Sequence, residues 1–102
     1  MTSQIQFVNT KNNDRLKISI LDKLEKLEQK FEWIINAKVF LKVEKYKDTI
    51  KDKLCEIDLS VPGPNIFTKS YHESYEAAIA DAFTELEIQL LKHKDKLYRS
   101  IR

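Results

Sequence analysis

The chain has very few of the residues that mark loops, disulfide scaffolds or disordered segments. Its 102 residues include one glycine, two prolines and one cysteine. So little glycine and proline indicates long regular elements, and a lone cysteine excludes an internal disulfide framework. Hydrophobic residues make up 42% of the chain and charged residues 33%. This balance predicts one globular domain over residues 1–102.

Long apolar runs are also missing. No stretch approaches the roughly 18 consecutive apolar residues of a membrane span. The first residues, MTSQIQFVNTKNN, lack the basic region and apolar run of a signal peptide. We therefore expect a cytoplasmic protein that does not bind membranes. Cys55 lies among alternating apolar residues in LCEIDLSV, a pattern typical of a buried thiol that packs as a small hydrophobe.

The motifs of common enzymes and metal sites are absent from the sequence. There is no glycine-rich phosphate loop, no cysteine pair and no HExxH. The two histidines, His72 and His93, fall on different predicted elements. The sequence therefore predicts a protein that is not an enzyme and that holds no cofactor or metal.

The first half of the chain predicts a strand, a helix and a second strand. Residues 4–8 alternate as a strand does, and a helix capped by Asp14 follows. Residues 37–44 alternate again and predict a half-buried strand. The predicted core positions of the helix are Leu16, Ile20, Leu24, Leu27 and Phe31, and those of the second strand are Ala37, Val39, Leu41 and Val43.

The second half predicts two more strands and a long helix. The segment LCEIDLSV alternates, PGPN is a turn, and IFTKSYH is a fourth strand. Ser74 is expected to cap a helix from Tyr75 to Lys96. Its predicted core positions are Ile79, Ala82, Phe83, Leu86, Leu90 and Leu97. The fold class is therefore α+β, with the order β-α-β-β-β-α and a four-stranded mixed sheet carrying two helices on one face. Its first two strands are parallel, and the others form an antiparallel meander.

Positive charge is concentrated at the C-terminal end. Residues 92–102 hold five bases and one acid, a balance of +4, so the other 91 residues hold 13 bases and 15 acids, a balance of −2. The bases are Lys92, Lys94, Lys96, Arg99 and Arg102. Such a distribution is typical of a surface that binds an anionic partner.

Helical spacing divides the basic residues into sectors. Gln89, Lys92, Lys96 and Arg99 share one sector of the last helix, His93 lies between this sector and the apolar stripe, and Lys94 lies on the other flank. The first helix carries a second sector of Lys23, Lys26 and Lys30. Spacing leaves two interpretations open for each sector. The cations either bind a polyanion or only complement the helix dipole and solvate a helix face.

Three segments of the chain resemble the ribosome hibernation promoting factor family, which includes the inhibitor called protein Y. They are KLEKLEQKFEWIINAKVFLKVEK, EIDLSVPGPNIFTKS and YEAAIADAFTELEIQLLKHKDKL. The most specific part is the LExQLxKHKxK pattern from Leu86 to Lys96, which follows AAI at residues 77–79. The resemblance extends from about Leu16 to Arg99, in the same order of elements.

The resemblance implies a factor that binds ribosomal RNA of the small ribosomal subunit in the decoding channel. There it would compete with messenger RNA and transfer RNA and inhibit translation under stress or in stationary phase. The lysines of the pattern and those of the first helix inherit the role of RNA contacts: Lys92, Lys94, Lys96, Lys23, Lys26 and Lys30. We expect a short form that lacks the dimerisation domain of long family members, and a monomer when free. Two questions stay open from the sequence: whether the free protein self-associates through its exposed face, and whether it promotes or prevents ribosome pairing.

Two residues depart from the family pattern and keep other functions open. Many relatives carry basic residues between the fixed positions of the last helix, where this chain has Ile88 and Leu91. An exposed apolar pair is typical of a protein contact or of an ordinary surface. The alternatives are therefore a protein-interaction module that uses Ile88, Leu91 and Phe40, and a double-stranded RNA binder that acts away from the ribosome.

Overall fold

A computed structural model describes residues 1–44 and 50–101 of the chain. Its elements follow the predicted order. They are β1 (Thr2–Val8), α1 (Asp14–Lys30), β2 (Asn36–Val43), β3 (Lys53–Ser60), β4 (Ile66–His72) and α2 (Tyr75–Ile101). Among the described residues, neither helix combines the length and the hydropathy that crossing a bilayer requires.

The sheet has the predicted topology, with the spatial order β1-β2-β3-β4. β1 runs parallel to β2, and Ile5 lies opposite Val39. The next two pairs are antiparallel, with Val39 opposite Ile57 and Ile57 opposite Thr68. Side chains alternate between the faces of a strand, so this register places the apolar positions of the central strands on one face. The α+β fold class is confirmed.

The core lies between that face and the two helices. The predicted inward residues of the central strands, Val39, Leu41, Cys55, Ile57 and Leu59, are fully buried. The helices contribute the predicted apolar stripes, from Leu16 to Leu27 in α1 and from Ile79 to Leu90 in α2. Burial raises the pKa of the Cys55 thiol to about 12, so the thiolate is not populated near neutral pH. The packing role of Cys55 is confirmed.

The cap of α1 differs from the prediction by one residue. Asn13, not Asp14, is the N-cap: its backbone is extended, and its side-chain oxygen accepts a hydrogen bond from the Leu16 amide at 3.2 Å. Asp14 is the first helical residue, where its charge favours the positive end of the dipole. Ser74 caps α2 as predicted, accepting from the Ala77 amide at 3.2 Å.

Three apolar residues differ from the burial pattern expected from the sequence. Val43 is 37% exposed, because it is the last residue of β2 and lies opposite Lys53 at the end of the sheet. Leu97 is only half-buried, because α2 continues past the core to a length of about 40 Å. Leu54 is fully buried although it points away from the helices. Its neighbours on that outer face are Lys42 and Tyr71, whose long side chains can cover it.

Candidate nucleic-acid interface

The C-terminal half of α2 carries the predicted basic sector on an unbroken helix. Because α2 continues to Ile101, its residues keep a constant angular relation up to the end of the sector. The side chains of Lys92, Lys96 and Arg99 are all exposed. We call these three residues the basic face of α2.

A groove with a volume of about 550 Å³ separates the basic face from the turn between β3 and β4. One wall is the turn itself, residues 62–65, and the other wall includes Gln89, Lys92 and Lys96 of α2. Gly63 adopts a positive φ of 92°, a conformation that favours glycine, and so closes the turn. We call this space the turn groove.

His93 holds the two walls of the turn groove together. Its Nε2 lies 2.7 Å from the carbonyl oxygen of Pro62. A carbonyl only accepts, so Nε2 carries the proton and donates. The His93 ring also contacts Trp33, with centroids 5.4 Å apart, and Trp33 packs edge-on against Phe31 at 5.7 Å. The expected role of His93 as an RNA-binding residue stays a prediction; in the structure its ring connects α2 to the turn and to the core.

Gln89 has a similar connecting role on the same side of α2. It is half-buried, and its Nε2 donates to the Phe67 carbonyl oxygen at 3.3 Å. This contact ties α2 to β4 beside the turn groove. Because the amide has a second hydrogen and a carbonyl oxygen, Gln89 can still hydrogen-bond a ligand in the groove.

We expect His93→Ala to lower the free energy of unfolding by about 1–3 kcal/mol, because it removes one hydrogen bond and one ring contact. Urea denaturation measures this change. His72→Ala is the matched control, since His72 makes an exposed contact with Asp81 at 3.2 Å, and its loss should have a smaller effect. An equal loss for both variants would contradict the connecting role of His93.

A second groove, of about 460 Å³, lies between the two helices. Lys23, Lys26 and Lys30 line it from α1, and residues including Phe83 and Glu87 line it from α2. The predicted second basic sector therefore borders a concave surface with an apolar floor. We call this space the helix groove.

Two of the three lysines of the helix groove have acidic partners. Lys30 Nζ lies 2.6 Å from Glu87 Oε1, an ion pair that spans the groove, and Lys26 Nζ lies 3.2 Å from Asp22. Within the described part of the chain, Lys23 has no ion pair. Pairs this exposed contribute at most about 1 kcal/mol each. A phosphate entering the groove can therefore compete with these carboxylates for the lysines.

The two grooves lie on opposite sides of α2 and share no lining residue. The two basic sectors therefore form separate strips, and their use on a single RNA surface stays a prediction. Two basic strips flank an exposed line of α2 that contains Ile88, Leu91, Asp95 and Tyr98. We call this line the outer stripe. An RNA that engages both strips must pass over it.

The remaining cations predicted to contact RNA near the C-terminus are Lys94, Arg99 and Arg102. Lys94 is half-buried, and its Nζ lies 5.8 Å from the centroid of the Tyr98 ring, on the side of α2 away from the turn groove. Arg99 pairs with Asp95 at 3.1 Å, one turn earlier. Arg102 lies outside the described residues.

Residues 3–98 match the model of the family described as Sigma 54 modulation protein / S30EA ribosomal protein. This match includes all of α1, α2 as far as Tyr98, and all four strands apart from Thr2, the first residue of β1. The chain belongs to the S30EA family. The membership expected from the LExQLxKHKxK pattern is thereby confirmed.

Two curated relatives are 36% identical to this S30EA chain over the residues that align. The ribosome hibernation promoting factor of Pseudomonas putida is 36% identical over 81 residues, which cover 79% of this chain and 74% of that protein. The protein of the same name from Escherichia coli K12 is 36% identical over 89 residues, covering 87% of this chain and 88% of the relative.

Solved structures share the S30EA fold. A ribosomal subunit interface protein from Coxiella burnetii superposes with a TM-score of 0.81 at 19% identity, covering 93% of this chain and 99% of that one. The N-terminal domain of Thermus thermophilus Protein Y gives a TM-score of 0.70 at 23% identity, covering 90% and 94%. At these identities the likeness establishes the fold.

Sequence reasoning missed the wall of the turn groove in this S30EA chain. The segment PGPN was assigned as a turn, but nothing in its spacing places it against α2. One signal was available: Gly63 is the only glycine in the chain. A Cβ at Gly63 would lie 3.6 Å from Cε1 of His93, so this position combines a positive φ with a close neighbour. Trp33, which supports His93, was also missed.

One serine, one aspartate and one histidine meet at the other end of α2. Asp81 Oδ2 accepts from the Ser70 hydroxyl at 2.6 Å and lies 3.2 Å from His72 Nε2. The bond from Ser70, followed by that from His72, lowers the pKa of Asp81. The Ser70 hydroxyl donates to Asp81, whereas in a catalytic triad the serine donates to the histidine. The cluster joins α2 to β4. Among the residues described, no group of three metal-binding side chains occurs.

Proposed function

We propose that this chain is a ribosome hibernation factor that binds ribosomal RNA of the small subunit in the decoding channel. It blocks the binding of messenger RNA and transfer RNA there, and so inhibits translation in the cytoplasm under stress or in stationary phase. Binding alone produces the inhibition, and no reaction is catalysed. Family membership and the names of the curated relatives support this proposal.

The observation that carries the proposal is the exposed basic face of α2 beside the turn groove. Lys92 and Lys96 lie one helical turn apart on a helix that is anchored at Gln89 and His93. A rigid helix holds its cations in place before binding, so less conformational entropy is lost when they meet phosphates. The lysines of the helix groove extend the contact to a second part of a folded RNA, as recognition of RNA by shape requires.

Binding to small ribosomal subunits should depend steeply on salt. Each cation that neutralises a phosphate releases condensed counterions. With about five cations engaged, the log–log slope of affinity against salt should be roughly −3 to −5. Co-sedimentation of the purified protein with small subunits over a salt series measures this slope. An affinity that hardly changes with salt would contradict the proposed phosphate contacts.

Competition identifies the site and separates the alternatives. Excess transfer RNA should displace the protein from small subunits if it occupies the decoding channel. A double-stranded RNA binder would instead bind isolated duplexes as tightly as subunits. A protein-interaction module would keep its partner at high salt and after nuclease treatment. In that alternative Phe40 cannot share one patch with Ile88, because Phe40 alternates with the buried Val39 and Leu41 and therefore lies on the sheet face opposite the helices.

A further inference from the structure

The outer stripe of α2 has the spacing of a helix that pairs with another helix. Ile88, Leu91, Asp95 and Tyr98 recur at alternating intervals of three and four residues, which is the heptad spacing of a coiled-coil seam. The three apolar side chains are 43%, 54% and 59% exposed. The core of this chain therefore does not use them.

Charge divides α2 into two halves on either side of this stripe. Glu85 and Glu87 flank its N-terminal part, and Lys92 and Lys94 flank its C-terminal part. A second α2 that runs in the opposite direction places acidic half against basic half. A parallel α2 would instead place acids against acids and bases against bases. The charges of two α2 helices are therefore complementary only when the helices are antiparallel.

We propose that two copies of this chain associate through the outer stripes of their α2 helices, packed antiparallel about a two-fold axis. The layer at the centre pairs Ile88 of each copy with Leu91 of the other. In the same register, Glu85 faces Lys92 of the second copy and Glu87 faces its Lys94, which gives four flanking ion pairs in the symmetric dimer.

Local contacts within each copy leave these flanking groups accessible. Glu85 is exposed and has no ion pair among the residues described. Glu87 uses Oε1 for Lys30, and its second carboxylate oxygen is open to a lysine of the second copy. Lys94 lies over the ring of its own Tyr98, a contact that a moving ammonium group can keep or release.

Asp95 limits the strength of the dimer and helps to set its register. It interrupts the apolar stripe and pairs with Arg99 of its own helix. In the antiparallel register it meets Thr84 of the second copy, so a polar layer borders each end of the apolar centre. A polar layer at a seam specifies alignment at a cost in stability. The apolar contact is therefore small, which is typical of a weak, reversible association.

Self-association would regulate RNA binding by the basic face of α2. This consequence rests on the proposed function, whereas the proposal of the dimer itself does not. In the dimer, Lys92 and Lys94 each pair with a carboxylate of the second copy, and a phosphate has to compete with that carboxylate. Dimer formation and RNA binding therefore oppose each other. Binding of monomers to the ribosome shifts the equilibrium from dimer toward monomer.

Sedimentation equilibrium without ribosomes tests the dimer, over protein concentrations from about 10 μM to about 1 mM, the range in which a small interface associates. The mean mass should rise from 12.1 kDa toward twice that value. Ile88→Lys should raise the dissociation constant at least about tenfold, because it places two cations in the apolar centre. Ile18→Lys is the matched control. Ile18 is 68% exposed on α1, and its substitution should leave the dissociation constant unchanged.

A charge exchange tests the antiparallel register. Glu85→Lys and Lys92→Glu should each weaken the dimer, because each places like charges opposite one another. The double variant should restore it, because the pairs re-form with exchanged signs. A mass that stays at 12.1 kDa over the whole range would overturn the proposal, as would a dimer that Ile88→Lys leaves intact or that the double variant fails to restore.

Ribosome binding of the Ile88→Lys variant separates this proposal from the proposed function. Its affinity for small subunits should be equal to or higher than that of the unmodified chain, because a cation is added and the competing dimer is lost. If the unmodified chain forms no dimer and yet binds small subunits, the self-association alone is wrong. If it forms the predicted dimer and binds no subunits, the proposed function alone is wrong.

Discussion

Replacing Lys92, Lys96 and Arg99 together with glutamate should reduce the affinity for small ribosomal subunits by about 10²- to 10³-fold. Each substitution removes a cation from the basic face of α2 and adds an anion that repels phosphate. None of the three side chains belongs to the core. Glutamate near the negative end of the helix dipole costs about 0.3–1 kcal/mol per site, so the fold should persist. Co-sedimentation at low salt measures the loss.

The control for this variant carries the same change of charge elsewhere. Lys11, Lys17 and Lys38 are exposed, and none lines either groove. Replacing these three with glutamate alters the net charge by the same −6 and tests whether overall charge accounts for binding. We expect the control to retain most of its affinity. If both variants lose affinity equally, the basic face of α2 is not the contact surface.

Replacing Phe31 with alanine should lower the free energy of unfolding by about 3–5 kcal/mol. Phe31 is 2% exposed and lies at the end of α1, where it supports Trp33, and Trp33 in turn contacts His93. Its removal leaves a cavity in the core and withdraws the support of the turn groove. This loss is a large fraction of the typical free energy of unfolding of about 5–15 kcal/mol. Urea denaturation of the purified variant measures the loss.

Phe67→Ala provides the matched control for Phe31→Ala. Phe67 is 51% exposed, so the same truncation there creates no enclosed cavity and should change the free energy of unfolding by less than about 1 kcal/mol. If Phe31→Ala behaves like Phe67→Ala, the contact chain from Phe31 to His93 does not stabilise the domain. If Phe31→Ala weakens subunit binding under conditions where both variants are folded, and Phe67→Ala does not, the contacts from Phe31 to His93 also support the RNA interface.

Local patterns predicted most of the fold because they repeat within each element. Leu16, Ile20, Leu24 and Leu27 share one helix face by spacing alone, and Cys55, Ile57 and Leu59 share one sheet face by alternation. The cap of α1 was misplaced by one residue because Asn13 and Asp14 are both good caps. The extended backbone of Asn13 and the hydrogen bond that its side chain accepts from the Leu16 amide distinguish the two.

The cations of the candidate interface were found from the sequence, but their arrangement was not. Spacing placed Lys92, Lys96 and Arg99 on one side of a helix, and the structure keeps them there. Spacing could not show that residues 62–65 form the opposite wall of the turn groove. Nor could it show that the lysines of α1 line a separate groove. Both facts depend on contacts between residues far apart in the chain.

The amino-acid sequence alone thus predicts the order of the elements, most of their inward faces and the identity of the cations. These properties follow from periodicity and residue chemistry, which act over a few neighbouring residues. The family was indicated by the resemblance of three segments and is shown by the match over residues 3–98. Tertiary packing establishes that His93 joins the turn to α2 instead of standing free. It also separates the two basic strips and leaves Ile88 and Leu91 facing outward between them. The position of each helix on the sheet sets these relations, and that position results from the packing of the whole core.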